Sequence, residues 1–289
     1  MENNSSDQQQ QQQDQNSSSQ GAGEQGQDQR VTMTQEQLDE FQTQIKLNED
    51  YQNQLKQEIE EQMPFISELT ELSVLKHEYQ DNKFELCFDQ LATRYSKVRR
   101  LRRDGNCFYR AFLFQVFEHF IHNPEDPQYE QILKVLVGSK KDLMDLGYDE
   151  IAIEDFYDLF LDEFKKLKTI AKAKAAEHLL KLLCNKEEAV YIIMFARFLA
   201  ACYLKQNAIM FEGFVGDVAQ FCMREVEQVD VECDQPQIIA ITNYLGLGVE
   251  INSVRADGGI EVINLPEEGY SGFRAKLLFV PGHYDALYQ

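Results

Sequence analysis

The sequence predicts an α+β fold: a helical body followed by a small, mostly antiparallel C-terminal sheet. Three observations predict it. Apolar residues recur at helical spacing from Phe108 to about Leu245. From Leu247 the spacing changes to alternation, as in half-buried strands. Asp257-Gly258-Gly259 and Pro281-Gly282 then punctuate that second part as turns. A length of 289 residues with 43% hydrophobic content allows one or two domains with a substantial core.

In chain order, residues 1–33 come first. The first 30 are almost all Gln, Ser, Asn, Asp and Gly, with no aromatic or β-branched residue before Val31. Such a tail buries too little apolar surface to offset its ordering entropy, so disorder is expected. Residues 34–64 follow. Thr34-Gln35-Glu36-Gln37 reads as a capping box. Phe41, Ile45, Leu55, Ile59 and Met63 share one side of a 3.6-residue period, and the helix they predict ends near Pro64. Its narrow stripe fits a helix packed along the domain, or an arm that grips a partner. Residues 65–289 read as the globular domain. Helices are expected over 107–121, 129–137, 153–183, 187–206, 217–228 and 235–246, with 187–206 central to the core. Strands are expected at Leu247, Val249 and Ile251, at Ile260 and Val262, over Leu277–Val280 and over His283–Tyr288.

Charge and cysteine usage narrow the function. The net charge is −21. An acidic chain does not suit nucleic acid, whose phosphates require a basic face. It suits a partner with a basic surface, or serves solubility alone. No apolar run reaches the roughly 18 residues of a membrane span, and no basic-then-apolar leader opens the chain. The six cysteines have neither CxxC spacing nor a dense disulfide framework. We therefore expect a reducing location, the cytoplasm and also the nucleus, where a catalytic thiol stays reduced. No His, Cys and carboxylate cluster has metal-ligand spacing, and no phosphate-binding glycine loop occurs. Neither a metal nor a cofactor is expected.

Two stretches carry chemistry. In Asp104-Gly105-Asn106-Cys107-Phe108-Tyr109-Arg110, Gly105 permits a tight turn. Cys107 opens the apolar helix of Phe108, Ala111, Phe112 and Val116. A thiol there has its thiolate favoured by unpaired N–H groups and the helix dipole. Amides of Cys107 and the preceding turn could line an oxyanion hole. By pattern alone a single Cys is also ordinary core filler. In Pro281-Gly282-His283-Tyr284-Asp285, strand alternation puts His283 and Asp285 on one side, where a carboxylate can orient an imidazole. A His after a turn can equally be structural. His119 and His122 lie too far along the Cys107 helix to reach the thiol. His77 and His178 sit in charged or Lys- and Ala-rich surroundings.

At these residues the chain resembles the otubains, a branch of the ovarian-tumour (OTU) domain cysteine peptidases. The run 104–112 (DGNCFYRAF) resembles the otubain nucleophile motif and 281–285 (PGHYD) its histidine motif. Ile153–Phe156, Phe221–Glu227 and Ser67–Tyr79 are similar to other otubain segments, so the likeness runs from about residue 55 to the C-terminus. The resemblance implies a papain-like OTU fold over 65–289. It implies Cys107 as nucleophile, His283 as general base and Asp285 as third triad member. Asp104, Gly105, Asn106 and Cys107 would form the oxyanion loop, with Asp104 acting through its backbone. The implied reaction is hydrolysis of isopeptide bonds between the C-terminal glycine of ubiquitin and lysine, in polyubiquitin chains that target proteins to the proteasome. Ubiquitin-conjugating enzymes are implied as further partners. A rival reading is a non-catalytic inhibitor that binds ubiquitin and conjugating enzymes. Another is a general papain-like protease of unfolded peptides.

Overall fold

The computed structural model describes residues 63–79, 82–255, 257–267 and 269–289, with Gln44 and Lys46 standing alone before them, both helical and exposed. The expected tail at 1–33 and most of the expected arm at 34–64 lie outside the described residues. The chain divides into two units, Met1–Gln54 and Leu55–Gln289. The second holds every element that follows.

Two short strands and two helices open it: β1 (Thr70–Glu71), α1 (Val74–Glu78), α2 (Asn82–Ala92) and β2 (Lys97–Arg99). The helical body runs α3 (Cys107–His122), α4 (Gln128–Asp145), α5 (Glu150–Lys166), α6 (Ala175–Cys184), α7 (Lys186–Gln206), α8 (Ala208–Val215), α9 (Val218–Phe221) and α10 (Gln235–Leu245). Strands β3 (Gly248–Val254), β4 (Ile260–Leu265), β5 (Arg274–Val280) and β6 (His283–Tyr288) complete it. Local chemistry sets several ends. The Asp149 and Asn185 side chains accept the first free amides of α5 and α7, satisfying donors that a helix cannot pair internally. Asp234 and Gln237 form a capping box on α10, and Gly246, at φ 66°, turns the chain out of it into β3.

Three expectations need correction. The span 153–183 is two helices, parted by 3-10 turns at Leu167–Thr169 and Lys172–Lys174. No Gly or Pro lies between 150 and 183, so the sequence carries no break signal there. The span 217–228 is a four-residue helix running into a π-turn at Cys222–Val226, where the Glu227 amide reaches back five residues to the Cys222 carbonyl. The sheet also has two strands that the alternation did not show.

The sheet has six strands in the order β1-β2-β6-β5-β3-β4. Only β3 and β5 pair in parallel, and the other pairs are antiparallel. Strands β1 and β2 are two and three residues long, too short to print a period of two. Each sheet face has its own cover. Ile251, Ala275, Leu277, Tyr284 and Ala286 join the core of the helical body. Val254, Leu278, Val280 and Leu287 meet Leu72, Leu75, Phe88 and Leu91 around α1 and α2. Helix α3 lies in the first core, and almost its whole length is buried. That burial seats Cys107, at its N-terminus, against β6.

Candidate active site

Charged groups on both sides hold the turn that precedes α3. The Asp104 carboxylate accepts the Asn106 amide at 3.0 Å, and its other oxygen pairs with Arg110. Gly105 has φ +76°, and a Cβ there would lie 2.2 Å from the Asp230 carbonyl oxygen. Neither the conformation nor the space admits a side chain. The Asn106 side chain donates to Asp230 Oδ1 at 2.8 Å and accepts from Arg197 Nη2 at 2.7 Å. The Asn106 carbonyl takes the first helical bond, from the Arg110 amide. Of the four expected oxyanion residues, two have their amides occupied: Asp104 N donates to Arg102 O, and Asn106 N to the Asp104 side chain. The amides of Gly105 and Cys107 have no acceptor among the described residues.

The Cys107 side chain is nearly buried, at 5% exposure. Its sulfur accepts the Tyr284 amide at 3.4 Å, so it sits against the residue that follows His283. No hydrogen bond joins Cys107 to His283 in this structure. Burial pushes the thiol up to about 11; the amides of Tyr284 and Phe108 pull it down by less, and the charges of Asp104 and Asp285 push it further up. The helix N-terminus, expected to favour the thiolate, is thus opposed by burial. Desolvation outweighs the local donors.

His283 and Asp285 are each 1% exposed, and His283 Nε2 lies 2.9 Å from Asp285 Oδ1. The alternation expected of β6 thus brings them together. Asp285 has two further donors that the sequence did not reveal. The Leu101 amide donates to Oδ1 at 2.8 Å, and Arg100 Nε donates to Oδ2 at 2.9 Å. The sheet register explains both: Arg99 pairs with Ala286, so the next residues run past Asp285. An ionised carboxylate only accepts, so Nε2 carries the imidazole proton and Nδ1 is left as the basic nitrogen. Nδ1 is buried and has no hydrogen-bond partner, so its lone pair is available as a base.

Arg197 also escaped the sequence reading. It is fully buried on α7, and its guanidinium reaches Gly105 O, Asn106 Oδ1, Val226 O and Val231 O at 2.7–3.1 Å. A lone Arg inside the apolar run 189–204 was the signal available. His119 instead pairs with Asp126 and stacks on Phe273, and His178 pairs with Glu163. No group of three or more His, Cys, Asp or Glu among the described residues could hold a metal. A cleft of about 520 Å³ opens beside the turn, lined in part by Phe65, Arg103, Asp104, Val229 and Glu232.

Comparison with known proteins bears on this constellation. A family model described as peptidase C65 otubain matches residues 57–289. Human ubiquitin thioesterase OTUB1 is 35% identical over 244 residues, covering 82% of this chain and 88% of the human protein. The ovarian tumor domain-containing deubiquitinating enzyme 1 of Arabidopsis thaliana is 31% identical over 248 residues, 78% of this chain and 81% of that protein. Among solved structures, h/ceOTUB1 with ubiquitin aldehyde and UBCH5B~Ub superposes with a TM-score of 0.74 at 28% identity, covering 85% of this chain and 98% of that one. The corresponding complex with UBC13~Ub also scores 0.74, over 84% and 97%.

Proposed function

The chain belongs to the otubain family of cysteine peptidases, and from that membership we propose that it hydrolyses isopeptide bonds between the C-terminal glycine of ubiquitin and lysine, using Cys107, His283 and Asp285. As a member of that family it is a cysteine-type deubiquitinase that acts on ubiquitin. The assignment of residues rests above all on one observation. The sulfur of a helix-opening cysteine abuts the strand whose His283 is hydrogen-bonded to a buried Asp285.

In the proposed mechanism His283 Nδ1 takes the thiol proton. Cys107 Sγ then bonds to the glycine carbonyl carbon, and the carbonyl π pair moves onto oxygen. The amides of Cys107 and Gly105 receive that oxyanion. Collapse expels the lysine amine, which takes its proton from His283, and leaves a thioester. Water, deprotonated by the same imidazole, attacks the thioester and restores the thiol. Asp285 fixes the tautomer and supports the imidazolium that forms in each half. A protein substrate suits the exposed Ile209, Met210 and Phe214 of α8, a surface of the kind that a partner covers. As substrates we propose polyubiquitin chains that target proteins to the proteasome. The setting we propose is the cytoplasm and nucleus, where the free thiols stay reduced.

Incubation of wild type and Cys107→Ala with di-ubiquitins of every linkage tests this. Cys107-dependent cleavage is expected, strongest for the proteasome-targeting linkage. No cleavage by wild type overturns the catalytic assignment.

A second reading has its own support. The Cys107 sulfur is buried and accepts the Tyr284 amide rather than pairing with His283, and the neighbouring solved structures hold ubiquitin-charged conjugating enzymes. We propose that the protein also binds such conjugates and restrains ubiquitin transfer. The Cys107→Ala protein should then still slow chain synthesis in a reconstituted reaction.

A further inference from the structure

A catalytic turn works only if its peptide planes are fixed, and one peptide here is held at both ends by charge. The Gly105 carbonyl accepts Arg197 Nη2 at 3.1 Å. The amide of the same peptide, Asn106 N–H, points the other way to the Asp104 carboxylate, which Arg110 holds in turn. A trans peptide turns its carbonyl and N–H in opposite directions, so Arg197 on one side and Asp104 on the other determine its orientation. The adjacent amides, those of Gly105 and Cys107, are the two left without an acceptor.

Arg197 is unusual in what it lacks. It faces neither water nor a carboxylate: its partners are three backbone carbonyls and one side-chain amide oxygen, and it makes no ion pair among the described residues. Its guanidinium stacks on Tyr109, 4.7 Å from the ring centroid. Burying a cation without a counter-charge is costly, and apolar packing would fill that space at less cost. What the guanidinium alone provides is a planar fork of several donors. That fork ties the nucleophile turn to the 226–231 segment. The π-turn contributes by aiming Val226 O inward, and Asp230, with φ +66°, contributes by turning its backbone onto Gly105.

We propose that Arg197 is a positioning residue that fixes the Gly105–Asn106 peptide, so that the amides of Gly105 and Cys107 face the oxyanion. It touches no reacting atom and acts through the turn. The proposal rests on the deubiquitinase reading above.

Its test separates oxyanion stabilisation from thiol reactivity. Full-length wild type, Arg197→Lys and Asn106→Ala are compared on ubiquitin bearing a C-terminal fluorogenic amide. In parallel, alkylation of Cys107 by iodoacetamide is followed by mass. Alkylation displaces iodide at a saturated carbon and forms no oxyanion, so a displaced turn leaves it untouched. Arg197→Lys keeps the charge but loses the fork. Its kcat should fall about 100-fold with KM unchanged, while the alkylation rate stays that of wild type. Asn106→Ala, which removes one of the four acceptors, should lose on the order of tenfold in kcat. If kcat holds, or if kcat and alkylation fall together, the proposal is overturned. Should Arg197→Lys not fold, the same ratio measured on Asn106→Ala decides it. Absence of Cys107-dependent turnover in wild type instead overturns the deubiquitinase reading, and the proposal with it.

Discussion

Replacing Asp285 with Asn removes one charge while keeping nearly every atom in place. The carboxylate serves three donors: Leu101 N and His283 Nε2 on one oxygen, and Arg100 Nε on the other. An amide has one oxygen, so one side must face its NH2 group. If the oxygen faces His283, the NH2 opposes a buried guanidinium, and breaking such a pair costs about 3–5 kcal/mol. If it faces Arg100, only the Leu101 amide loses its acceptor, at about 1–3 kcal/mol. The second orientation is therefore adopted. In it the NH2 donates to His283 Nε2, which moves the imidazole proton to Nδ1, the nitrogen meant to act as base. The variant should be destabilised by about 1–3 kcal/mol, read from a denaturant titration. Its kcat should fall by on the order of 10³–10⁴, the scale of a wrong catalytic tautomer, read with a fluorogenic ubiquitin amide. A kcat within a factor of about three of wild type, at unchanged stability, would refute the tautomer argument, since a loss of even about 1 kcal/mol exceeds that factor.

Other outcomes follow from the same geometry. Because burial raises the thiol, only a small fraction of free Cys107 should be deprotonated at neutral pH. Its alkylation rate should climb about tenfold per pH unit from 7 to 10, because the reactive form is the deprotonated one. A plateau near neutral pH would instead reveal a thiolate–imidazolium pair already formed. Gly105→Ala meets both a positive φ and the Asp230 carbonyl. We expect at least about 2 kcal/mol of destabilisation from the left-handed backbone and the displaced 229–232 segment, or a fall in Tm of about 4–8 °C. An unchanged melting curve would mean that the two segments part easily.

What the sequence made legible was whatever repeats or stands next to itself in the chain. The helices 107–121, 187–206 and 235–246 match observed elements closely because their residues are largely apolar, and the last two also carry a side-chain cap or a glycine at an end. His283 and Asp285 were readable as neighbours because two residues apart in a strand means one face. Arg100, Leu101 and Arg197 were not. They reach the site through the β2–β6 register and through a bond across the core; the lone charge of Arg197 in an apolar run marks it as unusual but does not say what it touches. The burial of the thiol was not legible for a related reason. Helix position is local information, whereas burial depends on what the rest of the chain lays over it.

The hydrogen bond from Leu101 to Asp285 closes a loop of 184 residues. In kinetic terms it is among the most expensive contacts to form, since chain entropy must be surrendered before it brings any return. Refolding molecules can therefore complete the helical body while β6 is still undocked, and such species have a thiol but no base. Catalysis would then be the last property to reappear after dilution from denaturant, later than far-UV ellipticity. A half-assembled molecule would be inert rather than indiscriminate, because a fragment lacking either end of that loop does not contain the complete site.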